Sequence, residues 1–121
     1  MLKFVNGTNQ DLWVAYMFLS PDTCGGEGGD WQAIGWYFMP AGGSTVPYGN
    51  SLGDVNNRYW CFYAENGDRS IFWAGPYPVY VPADGSPFNH CYAIGTTESR
   101  IIGMRLFDVG DNNDFTVTLI M

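Results

Sequence analysis

The feature that most constrains the fold is the segment 57–65, which reads NRYWCFYAE and is the longest run of strand-forming residues in the chain. Successive residues of a strand point to opposite faces of the sheet. One face would carry Trp60, Phe62 and Ala64, and we expect it to face the core because its only polar atom is an indole N–H. The opposite face would carry hydroxyl groups and a carboxylate, so we expect it to face water or a partner; its residues are Tyr59, Cys61, Tyr63 and Glu65.

This strand ends on Asn66 and Gly67, a pair typical of tight hairpin turns because both residues tolerate positive φ. Residues 71–73 would then return antiparallel. A two-residue turn would set Glu65 opposite Asp68, an unfavourable pair of like charges. A three-residue turn would pair Glu65 with Arg69 instead, and we favour this register.

The rest of the chain alternates between short strand patterns and turn signals. Residues 12–19 are apolar at every position, which is typical either of a central strand covered on both faces or of a strand with an apolar outer face. No stretch of ten residues has a helical period. Eight or nine short strands with regular turns predict one all-β domain, residues 1–121, folded as an antiparallel β-sandwich of the Ig-like or jelly-roll-like kind. Further strands are expected at 2–5, 31–39, 44–47, 79–81, 91–94, 101–109 and 115–121, with a bulge at Gly103.

The composition excludes several classes of partner. The net charge is −7 and the five basic residues form no cluster, so we expect no nucleic acid, and an anionic membrane surface is disfavoured. Aromatic residues make up 17% of the chain and charged residues 14%, so stability should come from aromatic burial rather than from ion pairs. No signal peptide or transmembrane run is visible, which leaves a cytoplasmic protein or one whose leader has been removed.

The three cysteines form an odd set without CxxC spacing, so at most one disulfide can form. The pattern favours buried thiols that act as small hydrophobic side chains. Because Cys61 lies on the central strand, we predict that it takes no part in a stabilising disulfide. The other two cysteines are Cys24 and Cys91.

The order of aromatic residues, glycines and turns resembles that of a bacterial family catalogued only as a domain of unknown function. The resemblance covers nearly the whole chain and is carried by segments 12–15 (LWVA), 35–37 (GWY), 57–65 (NRYWCFYAE), 108–110 (DVG) and 115–117 (FTV), with Pro40 and Gly42 after the second. The family has cysteines where this chain has Ser44 and Tyr80, so the resemblance implies no disulfide at those positions. It implies no activity either, since none is established for the family.

Candidate catalytic and metal sites are weak. His90 adjoins Cys91, but neighbouring strand residues point apart, so we expect no catalytic dyad and a loop or surface histidine instead. The glycine-rich segment 20–30 lacks the order of a phosphate-binding loop and is expected to be a mobile loop. We predict no cofactor and no zinc site. A weak calcium candidate is the oxygen-rich loop with Asp108, Asp111, Asn113 and Asp114, although a hairpin turn would choose the same residues.

The strongest functional feature is a predicted aromatic face. On the strand 31–39, Ile34, Trp36 and Phe38 would share one side, and Gly35 would leave room for a ring or a sugar on the other. Aromatic side chains with polar tips are typical of recognition surfaces. A second layer covering this face is the alternative, because large exposed apolar patches are rare. The residues predicted to bind ligand are Trp31, Tyr37, Tyr59, Tyr63 and Trp13.

We therefore expect a non-enzymatic binding module whose ligand is a carbohydrate or a protein. The same face could join two copies of the chain in a homo-oligomer. One alternative is a membrane-interface protein similar in composition to the acidic, aromatic-rich aegerolysin-type β-sandwiches. A hydrolase that uses loop carboxylates is a less favoured alternative.

Overall fold

A computed structural model describes residues 1–95 and 98–121 and confirms the all-β fold. These described ranges contain ten strands rather than the expected eight or nine. The predicted strand at 91–94 is wrong, because β8 ends at Cys91. The strands are β1 (Leu2–Asn6), β2 (Leu12–Leu19), β3 (Trp31–Met39), β4 (Ser44–Tyr48), β5 (Tyr59–Asn66), β6 (Phe72–Trp73), β7 (Tyr77–Pro82), β8 (Phe88–Cys91), β9 (Ser99–Asp108) and β10 (Phe115–Leu119). Within the described ranges, the helical segments are short: α1 (Pro21–Cys24) and the 3-10 turns Gly26–Gly28 and Leu52–Asp54.

The strands form two sheets. The small sheet has the order β10-β1-β4, in which β1 runs parallel to β10 and antiparallel to β4. The large sheet has the order β7-β9-β5-β2-β3-β8, with β6 paired to the end of β5, and its pairs are antiparallel. Among the described residues, the pairing of β1 with β10 is the one departure from the predicted antiparallel arrangement.

The first core lies between the two sheets. Phe4 of β1 and Leu119 of β10 pack there against aromatic residues of the large sheet, including Tyr16, Phe62 and the fully buried Trp60. The inward face predicted for β5 is therefore confirmed. These large rings supply much of the apolar burial that stabilises the fold.

A second core lies on the opposite face of the large sheet. The outer strands of this sheet curl over that face and cover the core. Cys61 and Tyr63 of β5 pack there against Val79 of β7 and against Ile102 and Met104 of β9. The prediction that this face of β5 meets water or a partner is therefore wrong for Cys61, Tyr63 and Glu65, and for them the alternative of a covering second layer is correct. Tyr59, at the start of the strand, is exposed as expected. Strand β2, which is paired to both β3 and β5, is covered on both faces, as its uninterrupted apolar sequence allows.

Strand β9 makes this curl possible because it is shared between two partners. Its second half pairs with β5, from Arg105 to Asp108, and its first half pairs with β7. At the division, the amide of Gly75 donates a hydrogen bond of 3.0 Å to the carbonyl of Gly103. A Cβ atom at Gly103 would collide with the carbonyl oxygen of Gly75, so the expected irregularity at Gly103 is a close approach of two backbones.

A β-bulge in β3 changes which aromatic residues face which core. Val14 pairs with Tyr37 and Tyr16 pairs with Ile34, so two residues of β3 lie opposite Ala15 alone. An extra residue shifts the alternation of all side chains that follow it. Tyr37 therefore packs with Ile34 against the first core, whereas Trp36 packs against the second. The predicted grouping of Trp36 with Ile34 is wrong for this reason.

The hairpin after β5 follows neither predicted register. Glu65 pairs with Phe72, and the amide of Asn66 donates to the carbonyl of Ile71 at 3.0 Å, which leaves a four-residue loop at 67–70. The expected contact between Glu65 and Arg69 nevertheless forms through the side chains, with 3.4 Å between Arg69 Nε and Glu65 Oε2.

A disulfide joins Cys24 of α1 to Cys91 at the end of β8. The expectation that both remain thiols is wrong, because their separation of 67 residues hides their proximity in space. Cys61 is buried and free, which confirms the prediction for that residue. The connection between β2 and β3, predicted to be a loop, contains α1 and a 3-10 turn and is covalently anchored to β8.

Candidate binding sites at the two ends of the second core

The five residues predicted to bind ligand do not share one surface. Tyr37 packs against the first core, and Tyr63 is only 6% exposed within the second. Tyr59 is exposed at the start of β5, with the Arg58 guanidinium 5.8 Å from its ring centre. Trp13 and Trp31 are half-buried and line separate pockets. Two candidate sites therefore replace the predicted aromatic face.

The space expected beside Gly35 is filled. A Cβ atom there would lie 2.7 Å from Cε1 of Phe88 and 2.8 Å from Cβ of Ala15. Glycine at this position thus allows Phe88 of β8 to pack closely against the sheet. It leaves no room for a ligand ring.

A cluster of hydrogen-bonded charged groups lies at one end of the second core. Glu65 is 8% exposed, and its carboxylate accepts hydrogen bonds from both terminal nitrogens of Arg100. The hydroxyl of Tyr63 donates to Glu65 Oε1 at 2.8 Å. Burial and this hydrogen bond to Glu65 raise the pKa of Tyr63 to about 12, so the phenol stays protonated. Burial lowers the pKa of Arg100, but the hydrogen bond and charge of Glu65 outweigh it and the net direction is upward.

This end opens into a pocket of about 240 Å³, which we call the Trp13–Trp36 pocket. Trp13 forms one wall and is held by the ring of Phe38, 5.1 Å away between centroids. Trp36 is held on the second core by Phe88 and by Arg100, whose guanidinium carbon lies 5.8 Å from the indole centre. The pocket is lined by Trp13, Trp36, Glu65, Asn66, Arg69 and Asp84, with Gly67 and Gly85.

The Trp13–Trp36 pocket contains residues that the sequence pattern did not single out as ligand-binding. Trp36 was predicted to share a side with Ile34 and in fact lies on the other side of the sheet, because the bulge in β3 has no clear sequence signal. Its Nε1 is buried and has no hydrogen-bond partner among the described residues. Arg69 lies in the hairpin loop after β5, and Asp84 lies in a turn of the connection between β7 and β8. Charged residues are common in turns, so nothing in their local sequence marked them.

The other end of the second core opens into a smaller pocket of about 170 Å³, which we call the Trp31 pocket. Its lining residues are Met17, Trp31, Cys61, Tyr77, Tyr92 and Leu106, and none of them is charged. Burial raises the pKa of Cys61 to about 12. Because the thiolate is the reactive form, this cysteine is a poor nucleophile at neutral pH.

His90 is half-buried on β8 rather than in a surface loop. Its ring centre lies 5.1 Å from that of Phe88. Burial lowers its pKa, while a hydrogen bond with the backbone of Tyr80 acts in the opposite direction. His90 therefore contacts β7 from β8, where the two edges of the curled sheet approach each other. Its neighbour Cys91 is committed to the disulfide and cannot act as a nucleophile with it.

The calcium candidates are distributed among different contacts. Both carboxylate oxygens of Asp108 accept hydrogen bonds of 2.8 Å from Arg58, and this pairing lowers the pKa of Asp108. Asp114 contacts the amino group of Met1 at 2.6 Å. In residues 1–95 and 98–121, no group of three or more His, Cys, Asp or Glu residues is arranged to hold a metal ion. Of the calcium candidates, Asp108 and Asp114 are thus each paired with a positive charge of the chain itself.

Comparison with models of protein families, with curated proteins and with solved structures finds no match to this chain. Within the described part of the chain, no helix has the length and apolar character needed to span a membrane.

Proposed function

We propose that this protein is a non-enzymatic carbohydrate-binding module and that the Trp13–Trp36 pocket is its site. The observation that carries the proposal is the combination of two indole walls with carboxylate, amide and guanidinium groups in one pocket. Sugars present apolar C–H faces and equatorial hydroxyl groups, which require both kinds of contact. Aromatic rings supply apolar contact at low cost in side-chain entropy, and a few placed polar groups supply orientation.

The size of the pocket favours a single sugar ring. Its volume of about 240 Å³ lies below the range of roughly 300–1,000 Å³ that is typical of sites for drug-sized ligands. A longer oligosaccharide would place only one unit in the pocket. The charged and exposed members of the lining are Arg69 and Asp84, which belong to two different turns.

Glu65 is arranged to position other groups rather than to transfer a proton. Its two oxygens already accept hydrogen bonds from Arg100 and Tyr63, and Arg69 lies 3.4 Å from one of them. Hydrolysis of a glycosidic bond by the usual mechanism needs one carboxyl group that donates a proton and a second that acts as nucleophile or base. Because the oxygens of Glu65 are occupied by donors of the chain itself, Glu65 is not placed to serve as either of these carboxyl groups, which argues for binding over hydrolysis.

The test is a glycan array followed by calorimetric titration of the best sugar. We expect Trp13→Ala to weaken binding by about 30-fold or more, the loss typical of an aromatic anchor. Tyr59→Ala is the matched control, since Tyr59 is an exposed aromatic residue outside the pocket. Absence of any glycan ligand, or equal losses in the two variants, would contradict the proposal.

A further inference from the structure

We infer that the Trp31 pocket is a second binding site, which takes a small uncharged molecule with one aromatic ring. It lies at the opposite end of the second core from the Trp13–Trp36 pocket and shares no lining residue with it. The inference therefore does not depend on the proposed carbohydrate site.

The floor of the Trp31 pocket is built by three neighbouring strands. Cys61 of β5 pairs directly with Met17 of β2 on one side and with Leu106 of β9 on the other. Residues that lie directly opposite each other in a sheet project from the same face. These three side chains consequently form one continuous apolar surface, and their positions are set by the sheet rather than by a loop.

The side walls are held in place by the backbone and by the disulfide. The amide of Tyr92 donates a hydrogen bond of 2.7 Å to the carbonyl of Trp31. Tyr92 directly follows Cys91, which is bonded to Cys24, so the wall is covalently tied to the connection between β2 and β3. A site whose walls are fixed before binding loses less entropy when it takes up a ligand.

The size and chemistry of the pocket define the class of ligand. Its volume is about 170 Å³, close to that of an apolar cavity of about 150 Å³ that is known to bind benzene. Its lining offers no charged group to neutralise an ionised ligand. Tyr77 is 43% exposed and Leu106 is 40% exposed, so the pocket has a mouth through which a ligand can enter.

The experiment uses fluorobenzene as the probe and follows its fluorine resonance by NMR during titration of the protein. We expect saturable broadening that toluene reverses. The variant Leu106→Trp should fill the pocket and weaken binding at least tenfold, whereas Val46→Trp should leave it unchanged. Val46 is a matched control because it is similarly exposed, at 46%, but lies on β4 of the small sheet.

A second measurement on the unmodified protein uses the thiol of Cys61 as a reporter. Cys61 is the free cysteine and lies in the pocket floor, so its modification by methyl methanethiolsulfonate at pH 9 reports access to the site. We expect saturating toluene to slow this reaction at least fivefold. The inference is overturned if fluorobenzene does not bind, if it binds Leu106→Trp as well as the unmodified protein, or if toluene leaves the rate of Cys61 modification unchanged.

Discussion

Arg100 and Glu65 form a two-point ion pair, although β9 and β5 are not paired with each other at these two residues. Arg100 of β9 pairs with Val81 of β7 through the sheet, while Glu65 of β5 pairs with Trp13 and Phe72. The ion pair therefore connects the curled end of the large sheet to its centre, across the end of the second core. Both side chains are largely removed from solvent, at 19% and 10% exposure.

Breaking this pair should destabilise the fold. Glu65→Gln leaves the Arg100 charge largely buried without a counter-charge, which costs about 3 kcal/mol or more. Arg69→Gln should cost under about 1 kcal/mol, because the side chain of Arg69 is 48% exposed and such pairs are weak. Urea denaturation measures both values. A loss of unfolding free energy for Glu65→Gln that is as small as the loss for Arg69→Gln would contradict a stabilising ion pair between Arg100 and Glu65.

The same pair predicts strong coupling in a double-mutant cycle. Glu65→Gln combined with Arg100→Gln removes both charges, so no unpaired buried charge remains. We expect the double variant to lose less free energy of unfolding than the two single variants added together. Additive losses would contradict a direct interaction.

Removal of the disulfide should cost about 4 kcal/mol of stability. Cys24 and Cys91 are separated by 67 residues, and closing a loop of that length restricts the unfolded chain by about this amount. The double variant Cys24→Ser with Cys91→Ser tests it by urea denaturation. The control is Cys61→Ala, which removes the free thiol and should cost only about 1 kcal/mol. A loss no larger than that of the control would contradict the prediction.

Two neighbouring aromatic residues of β5 should differ sharply in their contribution to stability. Trp60 is fully buried and stacks with Phe18, so Trp60→Ala should cost about 3–5 kcal/mol. Tyr59 is 43% exposed, and Tyr59→Ala should cost under about 1 kcal/mol. The midpoints of chemical denaturation provide the measurement. Similar losses would mean that Tyr59 is covered by a partner in solution.

Stability should fall as the pH is lowered from 7 to 5 because of His90. Burial lowers its pKa in the folded state below the ordinary value of 6.5, so the unfolded chain binds the proton more readily. The contribution of neutral His90 is therefore complete above pH 6.5 and is lost as the pH falls through the folded pKa. His90 is the single histidine of the chain, and His90→Gln should flatten the dependence in this window. An NMR titration that gives a pKa above 6.5 would contradict the prediction.

Much of the strand structure could be predicted because its signals are local. The strands Leu12–Leu19 and Trp31–Met39 begin and end at the predicted residues, since turn-forming residues limit them on both sides. The continuous apolar sequence of β2 predicted two possible environments, and one of them, a strand covered on both faces, is correct. The alternation of Trp60, Phe62 and Ala64 identified the residues of the first core.

The candidate sites could not be predicted from the same signals. The Trp13–Trp36 pocket depends on the bulge opposite Ala15, which turns Trp36 towards the second core. A bulge changes only one position in the register, so the sequence of β3 looks like that of a regular strand. The Trp31 pocket depends on a disulfide and on β9, whose two halves pair with different strands.

The sequence by itself determined the β-class, most strand positions and the first core, because alternation and turn preference act between residues a few positions apart. Only the tertiary structure decided that Tyr63 is buried, that Arg100 pairs with Glu65 and that Cys24 bonds to Cys91. In each case the residues that meet are far apart in the chain. They exist because the large sheet curls over its own second face, and the free energy of that closure depends on all of its strands together rather than on any one segment.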